Sequence, residues 1–150
     1  MKLLIIRPQP GNDASAKRAR DAGFDVIQFP FFEVLGSAWH APDPSGYDGL
    51  LITSANAIRH AGPELGAVRH LPVHAVGAAT ADAARAAGFR VVAVGTAGID
   101  AMHLPGRVLR LVGREHRSVP VAESVVVYAG DALFPDLGPL AGGIALVHSP

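Results

Sequence analysis

Short aliphatic runs alternate along this chain with alanine-rich polar stretches, a pattern that predicts buried β-strands joined by helices. Leu3–Ile6 reads as a short buried strand, and Asn12–Ala22 as a helix stopped by Gly23, a residue suited to the position just past a helix end. Asp25–Phe29 reads as the next strand; Pro30 breaks it, and LGSAWHAPDPSG over 35–46 has the composition of a linker. A second series opens with the strand Gly49–Thr53 and a helix over Ser54–Ala61. It continues through strand Val73–Val76, helix Ala78–Ala87 closed by Gly88, and strand Val91–Val94. Arg107–Val112, Ser124–Tyr128 and Ile144–Val147 are further strands, with a helix expected near Leu133–Leu140. Short apolar strands alternating with helices predict an α/β fold with parallel sheets.

The chain also echoes itself. ARDAGFDVI (19–27) and ARAAGFRVV (84–92) share Ala, Arg, Ala, Gly, Phe and Val in register, each spanning a helix end, a glycine and the start of a strand. This is a common exit from helices in α/β proteins, so convergence accounts for it as well as duplication does. The linker between the copies favours two similar domains.

Composition narrows the field. A chain of 150 residues, 49% hydrophobic and 17% charged, is not disordered by default. It can bury roughly 70% of its unfolded surface. Thirteen basic and thirteen acidic residues cancel, so no basic field points to nucleic acid or an anionic membrane. The absence of cysteine removes disulfides, thiolate nucleophiles and cysteine-ligated zinc, and it suits a reducing cytoplasm. The apolar run Leu3–Ile6 is cut off by Arg7 and Pro8, too short for a signal peptide, and no stretch is long enough to span a bilayer.

Two strand-to-helix turns stand out. In TSANA, Ser54 is placed as an N-cap, and Ala57 sits where a capping box would have Glu. In VGAATADAA, Gly77 makes a tight turn, Thr80 lies in the first helical turn, and no carboxylate comes before Asp82. Neither helix start carries its own negative side chain to answer its free N–H groups. Such ends attract carboxylate or phosphate by about 0.3 to 1 kcal/mol each, and up to about 2 when partly buried. Ser, Thr and Gly also serve there as plain caps, and neither turn is specific alone. Two at the carboxyl ends of strands in one sheet, where α/β folds bind ligands, say more. The first helix differs, since Asp13 occupies its opening turn. Other motifs are weak. His70 and His74 have metal-ligand spacing, but Pro72 between them opposes a shared helix face. VGTAGID (94–100) lacks dinucleotide-site spacing, and there is no phosphate-loop lysine and no nucleophile elbow.

A resemblance gives these absences meaning. IIRPQPGN, VIQFPFFEV, YDGLLITSANAIRH, VHAVGAATADAARAAGFRVVAVG, VVVYAGDALFP and IALVHSP occur in the order seen in uroporphyrinogen-III synthases, over nearly the whole chain. The resemblance implies a lyase that closes the linear tetrapyrrole hydroxymethylbilane with inversion of its last ring and loss of water, using no cofactor and no metal. It implies two flavodoxin-like parallel-sheet domains joined by two linkers, with residues 1–34 and 131–150 forming the first and 35–130 the second. Family members continue past this length with further helices and strands. The first domain is therefore expected to be incomplete, with Leu4, Ile6, Val26 or Val147 left exposed. The stretch Arg114–Glu123 is also short for the helix expected there.

By resemblance, Thr53, Ser54 and Asn56 form one carboxylate cradle and Gly77 and Thr80 a second. Tyr128 matches the tyrosine near the leaving hydroxyl, as hydrogen-bond donor or general acid. Ser149 matches a hydroxyl lining the cleft, and Arg7 either meets a carboxylate or makes a structural ion pair. The partner implied is a small polycarboxylate, with no nucleic acid or membrane. The full-length family implies a monomer, while a truncated chain is open to self-association. A cytoplasmic location is expected from the absence of cysteine, of a signal peptide and of a membrane span. The rival readings are a truncated, non-catalytic α/β module binding an anionic ligand at helix N-termini, and a small flavodoxin-like domain holding a phosphate-bearing ligand.

Overall fold

The computed structural model describes residues 2–119, 122–133 and 144–146. The chain forms two compact units, one from Met1–Val34 with Gly130–Pro150 and the other from Leu35–Ala129. Both are built on parallel strands with helices packed against them, the α/β class that the alternating pattern predicts.

In the first unit, β1 (Lys2–Ile5) lies between β2 (Asp25–Gln28) and β9 (Ile144–Leu146), parallel to both. Helix α1 (Gly11–Asp21) buries Asn12, Ser15, Ala16 and Ala19, the i, i+3, i+4, i+7 face of an amphipathic helix. Ala16 and Ala19 pack on Ile5, with Leu3 and Val26 beside them. Asn12 is the polar tie: its Nδ2 donates to the carbonyls of Ile5 and Arg7 at 2.8 Å each, and its Oδ1 accepts from Gln28 Nε2 at 2.9 Å. The expected exposure of the strand side chains does not hold at Leu4, which is only 5% exposed. The central position of β1 shields it, while Ile6 and Val26 are half-buried. Val147, and most of the helix expected over 133–140, lie outside the described residues.

In the second unit, β4 (Gly49–Ile52), β5 (Val73–Val76), β6 (Val91–Gly95), β7 (Val108–Gly113) and β8 (Ala122–Ala132) are all parallel. They belong to a sheet ordered β3-β8-β7-β4-β5-β6. Counting β4 to β8 as first to fifth, the parallel order is 3-2-1-4-5. A flavodoxin sheet runs 2-1-3-4-5, so the difference moves the reversal of strand order to the boundary between β4 and β7. Helices α2 (Ala55–His60) and α3 (Ala78–Ala86) cover one face. There Leu50, Ile52, Val73, Ala75, Leu109, Leu111 and Val127 meet Ala57, Ile58, Ala81 and Ala84. The alternate positions Leu51, His74, Val108, Arg110 and Val112 are also buried, as expected for a parallel sheet covered on both sides.

Strand β3 (Phe32–Gly36) lies partly in the segment that reads as a linker. Its side chains are mostly exposed, so no burial pattern marks it, but Ser37 N–H donates to the Val127 carbonyl at 3.0 Å just beyond its end. β3 and β8 each begin in one unit and end in the other.

The internal echo has a physical basis. Gly23 N–H donates to Arg20 O and Phe24 N–H to Ala19 O; Gly88 N–H donates to Arg85 O and Phe89 N–H to Ala84 O. Both glycines have positive φ, +86° and +85°, so each copy ends its helix in the same Schellman turn. The copies differ in burial: Phe89 joins the core at 5% exposure, whereas Phe24 is 40% exposed.

Candidate functional site

Because β4, β5, β7 and β8 are parallel, the loops that follow them emerge at one edge of the six-stranded sheet. Open α/β sheets bind ligands at that edge, where the strand order reverses, which here lies between β4 and β7.

After β4 come Thr53 and Ser54. Ser54 is the N-cap its position predicts, its Oγ accepting the Asn56 N–H at 3.2 Å. The Asn56 side chain turns along the helix, its Oδ1 accepting from Arg59 Nη1 at 3.4 Å. After β5, Gly77 caps α3 with φ +85°, and a Cβ added there would meet nothing within 4 Å, so the backbone is open to approach. No acidic side chain lies in the first turn of either helix. Thr80 differs from the expected cradle hydroxyl: with Ala81 and Ala84 it lies on the buried face of α3.

Tyr128 sits where β8 departs from regular pairing. Val112 pairs with Val126 but Gly113 pairs with Tyr128, a bulge that re-aims the side chain. The ring lies over Gly113: a Cβ added there would meet Tyr128 Cε2 and Cζ at 2.7 Å and its hydroxyl at 3.0 Å. The Tyr128 carbonyl accepts the Arg114 N–H at 2.9 Å, closing the end of the strand pair.

Arg110 completes the group, and sequence reasoning missed it. It stands in the middle of β7, opposite Leu51 of β4, with only 7% of its surface exposed. Its Nη1 donates to the Arg117 carbonyl at 2.7 Å and its Nη2 to Thr53 Oγ1 at 3.4 Å, while Nε is buried with no hydrogen-bond partner. Burial pulls its pKa below the usual arginine value, and the nearby Tyr128 hydroxyl pushes the other way. The signal in the sequence was one charged residue inside the otherwise apolar VLRLVG.

Arg7 belongs to the first unit. Its Nη1 donates to Ser15 Oγ at 3.3 Å, and its guanidinium lies against Gly11 at the start of α1, so it acts locally. Ser149 lies outside the described residues. Among the described residues no group of three or more His, Asp or Glu side chains is placed to hold a metal ion.

A family model described as uroporphyrinogen-III synthase HemD matches residues 13–136, a stretch holding every residue of this edge. No curated protein matches in sequence. Among solved structures, a mutant uroporphyrinogen III synthase from the extremely thermophilic bacterium Thermus thermophilus is similar at 19% identity with a TM-score of 0.50, covering 87% of this chain and 62% of that one. A second structure of Thermus thermophilus uroporphyrinogen III synthase, also 19% identical, gives a TM-score of 0.45 over 87% of this chain and 63% of its own. The chain therefore spans less than two thirds of those chains, and at 19% identity the likeness to the first is one of fold.

Proposed function

This chain belongs to the uroporphyrinogen-III synthase family, and from that premise we propose that it closes hydroxymethylbilane to uroporphyrinogen III, a cofactor-independent lyase step of cytoplasmic tetrapyrrole biosynthesis. The observation that carries the reading is the composition of the matched edge. Thr53 and Arg110 meet at the sheet edge that also carries Tyr128 and two helix starts, and Arg110 forms no ion pair among the described residues. A polycarboxylate needs such a surface. Backbone N–H groups and a single guanidinium hold anions with less loss of side-chain freedom than a field of lysines, in keeping with zero net charge.

In this reading the Gly77–Thr80 turn holds a carboxylate through its first-turn N–H groups, while the Ser54 turn, whose Asn56 N–H is taken by the cap, adds polar contacts from Thr53 and Asn56. The Tyr128 hydroxyl meets the departing hydroxyl and donates to it, so the group leaves as water. The azafulvene cation that remains is attacked by the last ring through its substituted carbon. The spiro intermediate then fragments and recloses with that ring inverted. A bare bilane cyclises unaided to the uninverted isomer, so the main task is holding the folded geometry, and few reacting side chains are needed. One copy and one small molecule suffice. No helix among the described residues is long and apolar enough to cross a membrane.

Incubating the 150-residue chain with freshly made bilane and resolving the isomers tests this. The type III isomer should exceed the uncatalysed background. Type I alone, at the spontaneous rate, would leave a non-catalytic anion-binding module as the better description.

A further inference from the structure

We infer that Arg110 is a carboxylate receptor: its guanidinium, together with the Thr53 hydroxyl, takes one acidic side chain of the ligand at the β4–β7 boundary. The nature of the ligand rests on the function proposed above; the role of Arg110 rests on its own surroundings.

The four ion pairs among the described residues, Lys17–Asp21, His40–Glu64, Arg85–Asp82 and Arg107–Glu123, all involve exposed or partly exposed side chains. Arg110, more than nine-tenths buried, has none. An unpaired buried charge is costly, and a carboxylate is the partner that best matches the planar fork of a guanidinium. Here the fork is held half-used. Nη1 rests on the Arg117 carbonyl, Nη2 reaches Thr53 Oγ1 at the outer limit of a hydrogen bond, and Nε has no partner.

Position agrees with this. β7 borders β4 where the strand order reverses, and the contact to Thr53 brings the Arg110 fork to the loop that carries the Ser54 cap. Its cover is the loop after β7, whose side chains over 114–118 are exposed and which is tied to Arg110 through the Arg117 carbonyl. A carboxylate arriving there replaces a weak bond to a neutral acceptor with bonds to an anion and supplies the missing partner of Nε. Tyr128 lies on the neighbouring strand β8, at the same carboxyl edge of the sheet. The substrate would then be held by a side chain and broken beside it.

The test titrates the whole chain, with Arg110→Met and Arg110→Lys, against uroporphyrin I at low salt, reading porphyrin fluorescence and the melting midpoint of each ligand-free protein. Arg110→Met should weaken binding at least about tenfold, the effect of losing a charge-assisted hydrogen bond. Its midpoint should hold or rise, since an unpaired buried charge has been removed. Arg110→Lys keeps the charge without the fork and should bind at an intermediate level. Wild-type affinity in Arg110→Met, no binding by the wild type, or loss of binding in step with a lower midpoint in both variants would each overturn the inference. If Arg110→Met does not fold, Arg110→Lys decides, and unchanged affinity there overturns it. Bilane turnover by the wild type is measured in parallel. Type III product with Arg110-independent binding removes only the role of Arg110. Arg110-dependent binding without type III product removes only the enzyme reading.

Discussion

Gly113→Ala acts on Tyr128 without touching it chemically. Gly113 is not in the left-handed backbone region, so alanine brings no φ strain, only a methyl group. That methyl would stand 2.7 Å from two ring carbons of Tyr128, where carbon atoms normally pack at about 3.5 to 4.0 Å. The ring must withdraw by roughly 1 Å. Overpacking of this kind costs about 1 to 3 kcal/mol. Replacing glycine stiffens the unfolded chain and returns about 0.4 to 1 kcal/mol. The net loss of stability, read by urea denaturation, should fall between near zero and about 2.5 kcal/mol. A misplacement of about 1 Å at a reacting group can lower turnover by about a hundredfold. Turnover should therefore fall far more than stability. Because both changes act through one hydroxyl, Gly113→Ala combined with Tyr128→Phe should be little worse than the weaker single variant. Wild-type turnover in Gly113→Ala, in a protein whose Tyr128 ring signals have shifted, would refute the positioning argument.

Tyr128→Phe alone should lower turnover while changing stability by less than about 1 kcal/mol, because it removes a hydroxyl and little packing; unchanged turnover would take Tyr128 out of the mechanism. Asn12→Ala should destabilise the chain by about 2 to 4 kcal/mol in urea denaturation, since it breaks three buried or part-buried hydrogen bonds linking α1 to both neighbouring strands. The Asp13 carboxylate accepts from Gln9 and Gln28 at 2.9 and 2.6 Å, and these bonds hold its pKa below the ordinary 3.8. Its stabilisation is thus present above that value and lost as pH falls through the lower folded one. Carboxyl NMR should show this late titration, and Gln28→Ala should move it back up.

Local chemistry was legible in the sequence; features set by tertiary placement were not. Ser54 could be named as a cap, and Gly23 and Gly88 as helix stops, because each depends on a few neighbouring residues. β3 went unseen because Phe32 and Leu35 are exposed and lend it no alternation. Arg110 went unseen for a sharper reason. In VLRLVG a charge between leucines matches a half-exposed strand, and only burial on both faces of the parallel sheet makes it anomalous. The burial of the Thr80 side chain depends on the rotational phase of α3, and the setting of Tyr128 on a bulge in strand pairing; both are fixed by contacts distant in sequence.

The central claim is that the tetrapyrrole sits on the carboxyl edge of the six-stranded sheet. Amide and side-chain NMR shifts during anaerobic titration with uroporphyrinogen III test it most directly. The account predicts changes clustered at Ser54, Asn56, Ala78, Gly113 and Tyr128 and at the Arg110 Nε–H. Changes confined to the opposite edge, at Gly49, Val73, Val91 and Val108, would contradict it.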